Sequence, residues 1–195
     1  MSNAEGRPEE TLDDVVAEGL TVVLAGVNPP PGSVARGHSF ATPGNRLWPA
    51  LYRSGFTPRI LRADEERDLL AFGIGITSIV RRPTASVAQL SSKELADGGR
   101  DLADRVRQWQ PGWLAVLGVT GYRAAFGAPG AVAGPQEQLI GGARVWILPN
   151  PSGRNAHYPP IRLAAEFRRL RVAAGLPDYS AGTALDRPVP LRALP

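Results

Sequence analysis

Four short apolar runs constrain this chain more than any other feature: "LTVVLAG" (20–26), "IGITSIV" (74–80), "WLAVLG" (113–118) and "ARVWILPN" (143–150). Each has strand length, and most are apolar at successive positions, so both faces need cover. Segments of helical spacing separate them. In "GNRLWPALYRSG", Leu47, Trp48, Leu51 and Tyr52 share a face, and Pro49 lies close enough to the start to be tolerated. "DEERDLLAFG" reads as a short helix with acids in its first turn and a glycine stop. Ser91 and Glu94 form a capping box that opens a helix through Gln110, with Leu95, Leu102, Val106 and Trp109 on its buried face. "VTGYRAAFG" is a short helix, and a final helix spans about 160–174 with Leu163, Phe167, Leu170 and Ala174 inward. Strands that alternate with helices predict an α/β fold, a three-layer α/β/α sandwich around a central, mostly parallel sheet.

The chain's 195 residues, 43% of them hydrophobic, suffice for one domain with a real core. The reading divides them into an acidic N-terminal arm (1–18), a domain (19–175) and a proline-rich tail (176–195) expected to be disordered. The arm is expected to be mobile or to form a short lead-in helix. With no cysteine, disulfides and thiolate metal sites are excluded, and two histidines do not build a metal cage. No metal or organic cofactor is expected. No apolar run reaches the length of a membrane span, and no signal peptide opens the chain, so a cytoplasmic location and no membrane partner are expected.

Charge is unevenly placed. Residues 1–18 carry six acids against Arg7, whereas 19–63 carry five arginines and no acid, and 138–175 carry six arginines and only Glu166. Two basic segments distant in sequence suggest one basic face suited to a polyanion, or else a solvated surface with an arginine bias.

In open α/β sheets ligands sit at the carboxyl ends of strands. Two unusual loops occur there, "GVNPPPGS" (26–33) and "LPNPSGRNAHY" (148–158). Neither matches a phosphate loop, and prolines remove the amides such a cradle needs. Each offers rigidity and one asparagine side chain, Asn28 or Asn150. Each Asn-Pro pair alone is also what an Asx-turn looks like.

These two loops resemble the first and second motifs of the mismatch-specific uracil-DNA and thymine-DNA glycosylases, within the uracil-DNA glycosylase superfamily. "GHSFATPGNRLWPALYRSGFT", "GITSIVRRPTASVAQLSSKELADGGRDL" and "QPGWLAVLG" resemble that family in order and spacing, over roughly 19–175. The resemblance implies the three-layer fold, a double-stranded DNA partner containing uracil or a related damaged base, and base flipping with hydrolysis of the N-glycosidic bond, initiating base excision repair. Thymine and ethenocytosine are further candidate bases, G·U mismatches the expected context, and a monomer the expected state. The competing reading is a DNA-binding module of the same fold with weak or no catalysis.

On this resemblance Asn28 is the catalytic residue that positions water. Val27, Phe40 and Asn150 form the base pocket, with Phe40 stacking on the base. Gly153, Arg154 and Asn155 occupy the DNA wedge. Ser33, Arg36 and Ser152 are phosphate contacts, and His157 and His38 are each either another or a plain loop histidine. Pro30 stands where the family has glycine, and Arg154–Asn155 stand where its bacterial branch has leucine and serine. A backbone needing positive φ at residue 30 would not accept proline.

Overall fold

The computed structural model describes residues 11–181. Five strands form one sheet: β1 (Val22–Gly26), β2 (Ile74–Ser78), β3 (Trp113–Leu117), β4 (Gly134–Ile140) and β5 (Ala143–Leu148). Their spatial order is β2-β1-β3-β5-β4. The first four in that order are mutually parallel, and only β4 pairs antiparallel, with β5. The α/β prediction therefore holds, with one strand added. β4 reads "GPQEQLI", polar at its centre and opened by Gly-Pro. It is an edge strand with an irregular register between Gln136 and Leu139, and a one-sided edge needs no apolar run.

The two faces of the sheet explain the apolar strands. Val22 and Leu24 join one core with Leu47, Trp48 and Leu51 of α2 (Leu47–Arg53) and Leu163, Phe167 and Leu170 of α5 (Pro160–Ala173). Val23 and Ala25 point the other way, to Leu95, Leu102 and Val106 of α3 (Ser92–Trp109) and Tyr122 of α4 (Val119–Phe126). Each fully buried aliphatic side chain contributes about 1.5–3 kcal/mol. The Ser91–Glu94 capping box forms as read, Ser91 Oγ accepting from the Glu94 amide. The helix expected at 64–73 is a 3-10 helix, Ala63–Phe72, stopped by Gly73 in the left-handed region. A four-residue turn of helix, α1 (Pro31–Val34), follows the triproline.

Both termini correct the reading where they are described. Residues 11–18 are neither a helix nor a free arm: Val15 is buried and exchanges both backbone hydrogen bonds with Ile76, on the far side of β2 from β1. Asp14 accepts from Thr77 Oγ1 at 2.5 Å and from Arg81 at 2.6 Å, and faces the buried Arg105 at 3.3 Å. Residues 176–180 are packed, not disordered. Leu176 and Tyr179 are buried, and Arg171, also buried, donates to the carbonyls of Ser54 and Leu176 and to Asp178 at 3.0 Å. The Ser180 hydroxyl first, and Arg171 after it, hold the Asp178 carboxyl below its usual range. A buried guanidinium needs this full set of acceptors, which periodicity does not reveal. The remainders of arm and tail, 1–10 and 182–195, lie outside the described residues.

Candidate active site

The strand order reverses between β1 and β3: from β1 the chain builds outward to β2, from β3 to β5. Such a switch point opens a crevice at the carboxyl ends of the strands. A cleft of about 610 Å³ lies there, reached by Val27 and Asn28 after β1, Leu117 at the end of β3 and Asn150 after β5. It also takes in Phe40, Thr84 and Arg154.

Asn28 is held by one edge of its amide. Its Nδ2 donates to Thr84 Oγ1 at 2.7 Å. Thr84 Oγ1 spends its own proton on the Ser86 carbonyl at 2.8 Å, so toward Asn28 it can only accept. That fixes the NH2 edge on Thr84 and leaves Oδ1 as an acceptor that is free among the described residues. The triproline completes the arrangement. An Asx-turn at Asn28 would require the amide hydrogen of residue 30, and Pro30 has none. The Asx-turn reading therefore fails here, and nothing in Pro29–Pro31 competes for Oδ1. Pro30 sits at φ −77, ψ 151, an extended conformation, so this loop has no need of the positive φ a glycine would permit.

Asn150 is the opposite case. Its Oδ1 accepts the Ser152 amide at 2.9 Å, an Asx-turn, which leaves Nδ2 as the donor edge. The loop after it is tied internally. Asn155 Nδ2 donates to the Asn150 carbonyl at 3.0 Å, and its Oδ1 accepts the His157 amide at 3.2 Å. Arg46, which sequence reasoning missed, holds the same loop from outside. Its guanidinium donates to the carbonyls of Tyr158 (2.8 Å), Asn155 (2.8 Å) and Ser152, and its amide to the Pro151 carbonyl at 2.9 Å. It has no acidic partner among the described residues. Gly153 is pressed on the 42–45 loop: a Cβ there would lie 2.6 Å from the Gly44 carbonyl oxygen, so the position requires glycine.

Phe40 borders the cleft with its backbone at φ +54, unusual for an aromatic residue. Its ring covers Gly26, where an added Cβ would stand 3.2 Å from Cζ. The preceding residues are pinned by the buried Glu66, which accepts from the Ser39 amide at 2.8 Å and lies 3.1 Å from His38 Nδ1. His38 is thus a partner of Glu66. Strain of this kind persists where the surroundings over-determine it.

Of the predicted residues, the cleft brings together Asn28, Val27, Phe40, Asn150, Ser152, Gly153 and Arg154. The Val27 side chain turns away into the core against Gly121 and its carbonyl accepts the Val80 amide at 2.8 Å, so only its backbone amide is available. Arg154 is exposed, with no side-chain hydrogen bond or ion pair among the described residues. Two assignments are corrected. Ser33 is fully buried with its hydroxyl on Thr42 at 3.1 Å, so it braces the loop and cannot meet a phosphate. Asn155 is knotted into its loop at both ends of its amide and is not a free wedge. Arg36, whose Nη1 donates to the Gly32 carbonyl at 2.6 Å, and the exposed His157 lie outside the cleft lining. No group of three or more metal-ligating side chains occurs among the described residues.

Thr84 and Arg46 carried no signal of their own in the sequence. Both act through atoms brought from more than 50 residues away, Thr84 on Asn28 and Arg46 on the 151–158 loop.

A mostly parallel sheet carries two asparagine loops at its switch point, and comparison gives the chain a family. The family model described as the uracil DNA glycosylase superfamily matches residues 14–171, and the chain belongs to that superfamily. Among solved structures, the solution NMR structure of a candidate uracil DNA glycosylase from Methanosarcina acetivorans superposes with a TM-score of 0.58 at 15% identity, covering 84% of this chain and 98% of that one. At that identity the match speaks for the shared fold.

Proposed function

We propose that this protein is a monofunctional DNA glycosylase that removes uracil from double-stranded DNA, with G·U mismatches as its preferred context. The reading rests above all on Asn28, an amide at the switch point with one edge locked by Thr84 and the other edge, Oδ1, free. In this scheme the target nucleotide is extruded, at a cost of a few kcal/mol that is least for a mismatched base. Its base stacks on Phe40. A water hydrogen-bonded to Oδ1 adds to the sugar C1′. The C1′–N1 bond breaks with its electron pair going to uracil, and the water loses a proton to solvent.

An amide is a feeble base, so bond cleavage must run ahead of water attack, through an oxocarbenium-like sugar. The departing uracil anion then needs donors. The free Nδ2 of Asn150 is one, and a preorganised donor of this kind contributes about 3–4 kcal/mol. The nucleophile in this scheme is water. Lys93, the chain's one lysine and so its one side-chain amine for a Schiff base, sits on α3 with its side chain 85% exposed and paired with Asp97, outside the cleft lining. Exposed Arg154 puts a positive charge on the cleft lining, which suits a phosphodiester track.

The test is direct. Duplexes carrying uracil opposite guanine or adenine, and the matching single strand, are incubated with excess protein and then treated with hot alkali. Strand breaks at uracil, strongest in the G·U duplex, are expected. Intact strands in all three would sink the glycosylase reading.

A further inference from the structure

Beyond Asn28 and Phe40 the cleft continues into a narrower recess. The recess shares Gly26, Asn28, Pro30 and Phe40 with the cleft, and its floor is Thr77 and Ser78 at the end of β2. Its far wall is Leu12 and Asp13, ahead of the family match that begins at residue 14. These same two residues also line an outer groove with His38, Glu66 and Arg67. Among the described residues they are therefore a partition with space on both sides.

The partition is anchored immediately behind. Asp14 binds Thr77 Oγ1 and Arg81, and Val15 is bridged to Ile76. Arg105 reaches from α3 to donate to Thr77 Oγ1 at 2.6 Å and to the Ser78 carbonyl at 2.8 Å. The floor and the wall are thus one hydrogen-bonded unit, and the polar groups that Arg105 engages are spent on that unit.

We propose that Leu12 and Asp13 are the size-limiting wall of the base recess and determine how far a purine is excluded relative to a pyrimidine. This rests on the glycosylase reading for the placement of the base. A base stacked on Phe40 with its sugar at Asn28 directs its distal edge at this wall. Shortening Leu12 joins the recess to the outer groove. Enlarging it fills the recess.

The experiment uses the full chain with Leu12→Ala and Leu12→Trp, chosen because Leu12 is only half-buried. Single-turnover excision of hypoxanthine and of uracil, each in duplex DNA, gives one ratio. Binding of free hypoxanthine and free uracil, by ligand-observed NMR, gives another that needs no catalysis. Leu12→Ala is expected to raise both hypoxanthine-to-uracil ratios about tenfold, in the range set by losing methylenes from an apolar wall. Leu12→Trp is expected to weaken uracil binding and excision while melting temperature and affinity for undamaged duplex hold. If excision proceeds and neither ratio moves, the wall assignment is overturned and the glycosylase reading stands. If no substrate is excised but the binding ratio moves, the wall stands and the glycosylase reading falls. Absence of both excision and base binding counts against both.

Discussion

The loops after β1 and β5 start from the same dipeptide and reach opposite solutions. In the first, three prolines strip the backbone of donors, so Asn28 Oδ1 has no local amide to accept from, and Thr84 fixes the NH2 edge from a distance. In the second, Asn150 spends its oxygen on the Ser152 amide, and the backbone is held by Asn155 and by Arg46. One loop is rigid because its dihedrals are restricted. The other is rigid because its carbonyls are clamped. The consequence is a site with an acceptor edge free on one side and a donor edge free on the other. In the proposed glycosylase that pair serves the water and the departing anion.

The sharpest way to break the comparison is Asn28→Ala. Single-turnover excision of uracil should fall about 10²–10³-fold, the scale for removing one preorganised polar contact. Binding to a uracil duplex should hold within a few-fold, since Asn28 meets no phosphate. A near-native rate would hand the water to another residue. Next comes Thr84→Val, which keeps the shape and removes the acceptor from the Asn28 amide. A loss of about tenfold is expected, the upper end for one neutral hydrogen bond. Thr84→Ser should restore it, and adding Thr84→Val to Asn28→Ala should cost nothing further. Additive losses would mean that Thr84 does not act through Asn28.

Arg154→Ala should give a smaller change of distinctive pattern. Insertion offsets unstacking, so it matters most where flipping is hardest. Excision from an A·U duplex should slow several-fold more than from G·U, with single strands least affected. An equal loss on both duplexes together with a shallower salt dependence would make Arg154 a phosphate anchor.

The smallest effect concerns the support behind Thr84. The Arg82 side chain donates to Glu94 at 2.7 Å and ties the 82–84 segment to the start of α3. That bond, followed by the Ser91 amide and hydroxyl, lowers the Glu94 carboxyl from 4.5 to about 2. A carboxyl depressed in the folded state stabilises fully above its unfolded value, and the contribution fades as pH falls toward the folded value. Glu94→Gln should therefore lower the melting temperature slightly at pH 7, with the difference shrinking below about pH 4.5 and vanishing near pH 2. A difference independent of pH would show that the carboxylate charge is not what holds the segment.

Much of this molecule was written locally. The apolar runs gave β1, β2, β3 and β5 because a buried parallel strand must be apolar on both faces. The Ser91–Glu94 box gave the start of α3 because capping needs only four consecutive residues. The placement of both asparagines at strand ends was equally legible. β4 was not, since an exposed edge leaves no apolar pattern. Nor was the docking of 11–15 and 176–180, which depends on Arg105 and Arg171 finding acceptors from distant segments. The same limit explains Ser33 and Asn155: as residue types they suit a DNA contact, and only the packing shows that one is buried and the other spent within its loop. Sequence by itself determined which backbone groups exist, including the missing amides of Pro29–Pro31, and so what Asn28 could not do. Tertiary structure decided which way the Asn28 amide faces, because that depends on a hydroxyl 56 residues away whose one proton is already committed to Ser86.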